Sequence, residues 1–263
     1  MDDAEVGRIW DANAEAWTVM SRAGCDECRD WFNTPQFLDI LPDVAGLSGL
    51  DIGCGEGHNT RLVAGRGAKM TAIDIAPTFL GHARQSEQDE PLGIRCIEAS
   101  AQSLPFDDAS FDFATAFMSL MDIPEPERAI GEAFRVIRPG GFFQFSICHP
   151  CFQTHRWEWV HDEAGERNGI VCGEYFERYD GEVEEWTFGA ASDELKARYA
   201  KFRVPRFFRT LSEWINTLID TGFVIARLQE PAPDAEAVAR NPRLRCDRIF
   251  AWFLHVQCRK PAC

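Results

Sequence analysis

The sequence predicts an open α/β sheet, mostly parallel and doubly wound with helices on both faces. Three observations predict it. Short apolar strands alternate with helical segments between residues 48 and 148. The first strand runs into a glycine-rich turn, Asp51-Ile52-Gly53-Cys54-Gly55-Glu56-Gly57. The second ends in an acid, Asp74, 17 residues after Gly57.

The elements follow in order. Residues 5–41 read as helix: Ile9, Trp10, Ala14 and Trp17 recur at helical spacing, as do Trp31, Phe32, Phe37 and Leu38, and Pro35 suits a helix start. Leu47, Leu50 and Ile52 feed a strand at 48–53, with further strands at 69–75, 94–98, 111–117 and 141–148. Helices are expected at 58–65, 77–88 and 125–138, the last ended by Gly140-Gly141. Residues 150–209 break the rhythm, with Trp157, Trp159, Tyr175, Phe176, Tyr179, Trp186 and Phe188 set between acidic clusters. So long an aromatic insertion is a small packed cap or a lid. A helix from Leu211 to Asp220, a turn at Gly222 and strands at 223–229 and 249–259 complete a seven-stranded sheet. One domain is therefore expected: an N-terminal helical cover (1–46), a core (47–149), an inserted cap (150–209), and a C-terminal helix with edge strands (210–263).

The glycine turn carries the first chemical signal. Gly53, Gly55 and Gly57 let the chain turn sharply and bring backbone close to a ligand. The dinucleotide pattern G-x-G-x-x-G fails, because His58 stands where its third glycine belongs. Asp51 and Glu56 flank the turn, and no basic residue appears before Arg61. A pyrophosphate would meet two carboxylates there, whereas a cationic amino-acid ligand is attracted by them. S-adenosylmethionine (AdoMet), with its ammonium and sulfonium, is such a ligand, and methyl transfer is the chemistry it serves.

Composition narrows the partners. The chain has 263 residues, 45% of them hydrophobic, and a net charge of −15 from 42 acids against 27 bases. Despite the basic stretch around Arg203 and Arg209, this balance argues against nucleic acid and an anionic membrane surface. No run approaches the roughly 20 apolar residues of a membrane span, and the acidic start is wrong for a signal peptide. A cytoplasmic location is expected. Ten cysteines include Cys-x-x-Cys pairs at Cys25/Cys28 and Cys148/Cys151. The pairs stand 120 residues apart, and Cys54 and Cys96 fall in or beside core strands, so small apolar thiols are preferred to a zinc site.

Taken together, these motifs resemble the class I AdoMet-dependent methyltransferases, of the kind grouped with ubiquinone/menaquinone-biosynthesis-like small-molecule enzymes. The resemblance is dense from about residue 47 to residue 149. It rests on residues 51–57, Ala72-Ile73-Asp74-Ile75, Leu104-Pro105-Phe106 with Ser110-Phe111-Asp112, and the run from Glu132 through Arg138-Pro139-Gly140-Gly141. It implies a Rossmann-like core, an antiparallel closing pair of strands at the sheet edge, AdoMet as cofactor and S-adenosylhomocysteine (AdoHcy) as product.

Ligands of open parallel sheets bind at the carboxyl ends of the strands. Around that crevice the cofactor candidates are Asp51, Gly53, Cys54, Gly55, Gly57, Asp74, Ile75, Ser100, Ala101, Gln102, Phe117 and Met118. Asp74 is expected to accept the ribose hydroxyls, Ile75 to lie against adenine and Asp51 to accept from the ammonium. Relatives often place an acid after the third strand, beside the adenine amino group; here Ser100 or Gln102, with the backbone of Ala101, holds that edge instead. Trp17 and Arg22 resemble positions that cover and anchor the cofactor, although a surface ion pair explains Arg22 almost as well. Two groups are candidates for catalysis. Asp122 either faces substrate or caps the following helix. His149 either takes a proton or sits hydrogen-bonded in the wall.

Other readings are weaker. Adenine-N6 and cytosine-N4 enzymes carry an Asx-Pro-Pro-aromatic element where this chain has Phe117-Met118-Ser119-Leu120, and Pro150-Cys151 follows the wrong strand for a cytosine-C5 nucleophile. A non-catalytic AdoMet-binding protein, and a methyltransferase acting on nucleic acid or protein, remain the alternatives to a small-molecule methyl acceptor.

Overall fold

The computed structural model describes residues 1–178 and 180–262, so Tyr179 of the aromatic insertion lies outside the described residues. Eleven strands are described. They are β1 (Ser48–Ile52), β2 (Lys69–Asp74), β3 (Arg95–Glu98), β4 (Phe111–Phe117), β5 (Ile137–Cys148), β6 (Arg156–His161), β7 (Arg167–Gly173), β8 (Asp180–Trp186), β9 (Phe202–Phe207), β10 (Val224–Gln229) and β11 (Phe253–Arg259). The α-helices are α1 (Asp3–Arg22), α2 (Thr34–Asp39), α3 (His58–Ala64), α4 (Pro77–Asp89), α5 (Pro126–Val136), α6 (Asp193–Arg198), α7 (Leu211–Thr221) and α8 (Ala235–Arg240). A π-helical turn, Arg29–Asn33, precedes α2.

Seven strands form the central sheet in the order β3-β2-β1-β4-β5-β11-β10. Pairing is parallel from β3 to β5 and antiparallel where β11 meets β5 and β10. This is the expected Rossmann-like sheet with its antiparallel edge. Since β1 lies between β2 and β4, the chain leaves β1 toward one side of the sheet and later fills the other, which opens a crevice at the carboxyl ends of β1 and β4.

Alternation along the strands divides the core into two layers. Leu50 and Ile52 of β1 point into one layer, with Ala114, Ala116, Phe143 and Phe145, beneath Ile130 and Ala133 of α5 and Trp214 and Leu218 of α7. Met70, Phe113 and Phe142 form the other, under Phe37 and Leu38 of α2 and Val63 of α3. Gly49 belongs to this second face.

The 150–209 segment contains two antiparallel hairpins, β6-β7 and β8-β9, with α6 between β8 and β9. Strand β9 is held to α1 by Asn13, which donates to the Arg203 carbonyl (2.7 Å) and accepts from its N–H (3.0 Å). Trp17 of α1 packs against Trp186, Phe188 and Phe202 at ring separations of 4.8–5.5 Å. Trp157 and Trp159 of the first hairpin pack on Trp252 and Phe250 beside β11.

Two boundaries differ from expectation. Helix α5 stops at Val136, and Ile137 already pairs with Phe111. The glycine turn there, with Gly140 at φ +84°, bends within β5 and ties it to Lys260 instead of ending the helix. The closing strand starts at Phe253, because residues Pro242–Arg248 coil as a 3-10 segment. No described helix is long and apolar enough to cross a membrane.

A side chain on β1's second face has no room at Gly49: an added Cβ would lie 2.3 Å from Phe113 Cζ and 2.6 Å from Met70 Sδ. Gly49→Ala should therefore destabilise the fold by about 2 kcal/mol or more through overpacking, measured as a lowered urea midpoint at unchanged slope.

Candidate active site

Strand β1 delivers the chain into the glycine turn at the crevice. Gly53 and Gly55 have positive φ, +70° and +55°. At Gly53 the absent Cβ is a requirement, since one would lie 2.4 Å from Ser119 Cβ. Ser119 uses that proximity by donating its hydroxyl to the Ile52 carbonyl (2.7 Å), which fastens the segment after β4 to the end of β1. Asp74, at the end of β2, accepts from the N–H groups of Gly55 (2.8 Å) and Ala76 (2.9 Å), one on each carboxylate oxygen. The Ile75 N–H is directed at the same carboxylate, whose two oxygens together still have capacity for a further donor. Burial pushes the Asp74 carboxyl up to about 6, against the pull of these N–H groups.

These elements line one cavity of about 530 Å³. Gly53, Cys54, Gly55, Asp74, Ile75, Ala101, Phe117, Met118, Trp17 and Asp122 all lie on its wall. Met118 holds φ +53°, a left-handed conformation costly for a side-chain-bearing residue, at the point where β4 enters the cavity.

The remaining candidates lie off this wall. Asp51 is 2% exposed, and its two oxygens accept hydroxyls from Thr60 (2.5 Å) and Thr115 (2.9 Å), which joins β1 to α3 and β4. Gly57 supplies the left-handed N-cap of α3. Arg22 turns outward to Glu56 and Ser86. Ser100 and Gln102 stand behind the wall, where Gln102 donates to Asp3 (2.8 Å), an acid of α1 that does line the cavity. His149 is 3% exposed, with Nε2 at 2.9 Å from Glu230 and Nδ1 accepting from the Cys151 N–H. Burial holds its pKa below the ordinary histidine value, only partly offset by Glu230. Both ring nitrogens are engaged away from the cavity.

The structure adds wall residues that sequence reasoning missed. Arg29, Asp26 and Asn33 come from the segment around the π-turn, and Asn59 from the first turn of α3. Asn33 is 1% exposed, and its Oδ1 accepts from His255 Nε2 (2.6 Å) and from the Ser146 hydroxyl (3.1 Å). Burial keeps His255 neutral, its pKa pushed down to about 3, so its Nε2–H donates and leaves the Asn33 NH₂ facing the cavity. Asn59 is fixed in the same sense, its Oδ1 accepting from Thr34 (2.9 Å). Glu56 is 7% exposed; its Oε1 lies 3.8 Å from the Arg29 guanidinium and accepts no hydrogen bond among the described residues. Burial raises the Asp26 carboxyl to about 6. One usable signal was Asn33 itself, a polar residue directly after Trp31-Phe32 in a helical stretch.

The cavity wall thus carries a donor-and-acid cluster, the glycine turn, the Asp74 carboxylate and the apolar side chains of Ile75 and Ala101. This set fits a zwitterionic amino acid joined to a nucleoside. A methyltransferase-domain family model matches residues 50–145. Among curated relatives, the chain is 32% identical over 111 residues to the malonyl-[acyl-carrier protein] O-methyltransferase of Pectobacterium atrosepticum, covering 42% of each chain. It is 39% identical over 103 residues to the ubiquinone/menaquinone biosynthesis C-methyltransferase UbiE of Brucella anthropi, covering 37% of this chain and 39% of the relative. The chain therefore spans about two-fifths of the length of these curated relatives. A crystal structure of an S-adenosylmethionine-dependent methyltransferase from Mesorhizobium loti superposes with a TM-score of 0.69 at 27% identity, covering 86% of this chain and 96% of that one. Residues 50–145 thus carry a methyltransferase domain, and the chain shares the fold of the AdoMet-dependent methyltransferase from Mesorhizobium loti.

Asp51→Ala should act on folding. It leaves the buried Thr60 and Thr115 hydroxyls without their acceptor, and a stability loss of about 2 kcal/mol is expected from denaturant titration.

Proposed function

We propose that this protein transfers a methyl group from AdoMet to a small-molecule acceptor, within a single domain whose inserted hairpins form the acceptor's cap. One observation carries this reading: a single cavity joins the glycine turn and Asp74 to a chamber walled by Trp157, Trp186 and Trp252. When bound, the cofactor supplies an activated methyl on a sulfonium sulfur, so the protein's work is alignment and exclusion of water.

In this reading Gly53 and Gly55 let the backbone approach the cofactor, and the Asp74 carboxylate accepts from the ribose. Ile75 and Ala101 flank the adenine. Arg29 and the amides of Asn33 and Asn59 face the cofactor carboxylate, while Asp26 and Glu56 face its ammonium. Trp10 and Trp17 of α1 cover it. The surplus of negative charge favours a small acceptor over nucleic acid. The nine cysteines among the described residues are all free, which suits a reducing cytoplasm.

Calorimetry tests the cofactor site. AdoHcy and AdoMet should bind with micromolar Kd, NAD should not bind, and Asp74→Ala should weaken AdoHcy by at least tenfold; absence of AdoHcy binding by the folded protein would sink the reading. The pH dependence has a definite sign. Ribose binding needs the Asp74 carboxylate, whose pKa is raised to about 6, so affinity is full near pH 8 and is lost as pH falls through 6. Asp26, also raised to about 6, titrates in the same range. Asp74→Ala should therefore lessen the acid loss by one proton and leave the part that belongs to Asp26.

A further inference from the structure

We propose that Asp122 is the catalytic base of this protein, and that the acceptor is a flat aromatic molecule presenting an N–H or O–H and bearing no negative charge. This rests on the methyltransferase reading and names its acceptor.

Four observations carry it. First, Asp122 lies on the cavity wall yet is only 9% exposed. Second, among the described residues no donor lies within hydrogen-bonding or ion-pairing distance of its carboxylate. It does not cap the helix it precedes: α5 begins at Pro126 after Glu125, with no side-chain cap. A buried carboxylate that accepts no hydrogen bond and feels only the more distant charge of Arg206 is costly in a structural role and ordinary in a group that awaits a ligand. Third, its position is fixed relative to the cofactor end. The Leu120–Asp122 turn follows Ser119, which is bonded to Ile52, and the Asp122 N–H donates to the Ser119 carbonyl (3.0 Å). Fourth, the cavity it lines is also walled by aromatic rings, Trp186 and Phe188 from the cap and Trp252 and Phe253 from the sheet edge.

The charges facing Asp122 decide which acceptors enter. Glu184 of β8 and Arg206 of β9 pair at 3.4 Å, and Cys148 of β5 is held as a thiol by burial, its pKa pushed up to about 11. Arg206 is thus shared between two carboxylates, and this end of the cavity keeps a negative excess. Anionic acceptors are repelled there, while a ring carrying a donor is drawn in and oriented. Burial and Glu184 raise the Asp122 carboxyl to about 7, against the opposing pull of Arg206, so it can hold a proton near neutrality. The proton of the acceptor's N–H or O–H passes to an Asp122 oxygen. Its electron pair stays on the acceptor heteroatom as the nucleophile, and water later takes the proton from Asp122.

The test uses the whole chain saturated with AdoHcy and three probes followed by ligand-observed NMR at pH 8: 1-naphthol, naphthalene and 1-naphthoate. Naphthol should bind about tenfold more tightly than naphthalene, and naphthoate more weakly than either. Asp122→Asn, with AdoHcy affinity retained as proof of folding, should bring naphthol within about twofold of naphthalene and admit naphthoate. With a methylatable phenol identified from a panel, the same variant should lower kcat far more than it raises KM. Naphthoate binding the wild type as well as naphthol does, no probe binding at all, or an unchanged probe order in the variant would overturn the assignment. AdoHcy failing to bind the wild type would instead overturn the methyltransferase reading beneath it.

Discussion

The site depends on one steric constraint: Ser119 occupies the space that a side chain at residue 53 would fill. That close approach lets the Ser119 hydroxyl reach the Ile52 carbonyl, so the turns after β1 and β4 are locked together at the switch point of the sheet. Asp74 completes the lock by accepting from the Gly55 N–H. The positions of Gly53, Asp74 and Met118 are therefore a single geometric fact. Asp51, directly beneath, braces the assembly through Thr60 and Thr115 without appearing on the wall.

Helix α1 connects the two ends of the cavity. Asp3, Val6, Trp10 and Trp17 line it, while Asn13 and the far face of Trp17 grip β9 and the aromatic cluster of the cap. The helix thus turns one surface to the cavity and the other to the second hairpin of the insertion. Its N-cap, Asp2 accepting from the Glu5 N–H, begins the helix just where Asp3 must meet Gln102.

Much of this was legible in the chain. The alternation of strands and helices, the glycine turn and the terminal acid of β2 are local signals, and they placed the sheet and the turn-side wall well. Legibility failed where function depends on contacts between distant segments. Whether Asp51 faces a ligand or two threonines turns on Thr115, 64 residues away. His149 was attractive by its place at a strand end, but Glu230 and the Cys151 N–H occupy its nitrogens. Arg22 and Arg29 lie a short distance apart in sequence and both reach Glu56, yet the break between α1 and the π-turn puts only Arg29 on the wall, while Arg22 also bonds Ser86 away from it. No periodicity argument reads that break.

The buried trio of Asn33, Ser146 and His255 has a consequence for regulation. An amide can present either its oxygen or its nitrogen, and here the choice is imposed from behind by two donors. One of those donors is an imidazole, ordinarily the side chain most responsive to acidity, but burial keeps it uncharged down to about pH 3. The polarity of the wall at Asn33 is thus insulated from the proton concentration outside. Acidification can disarm the carboxylates of this cavity one after another while the orientation of its amide donor stays as it was.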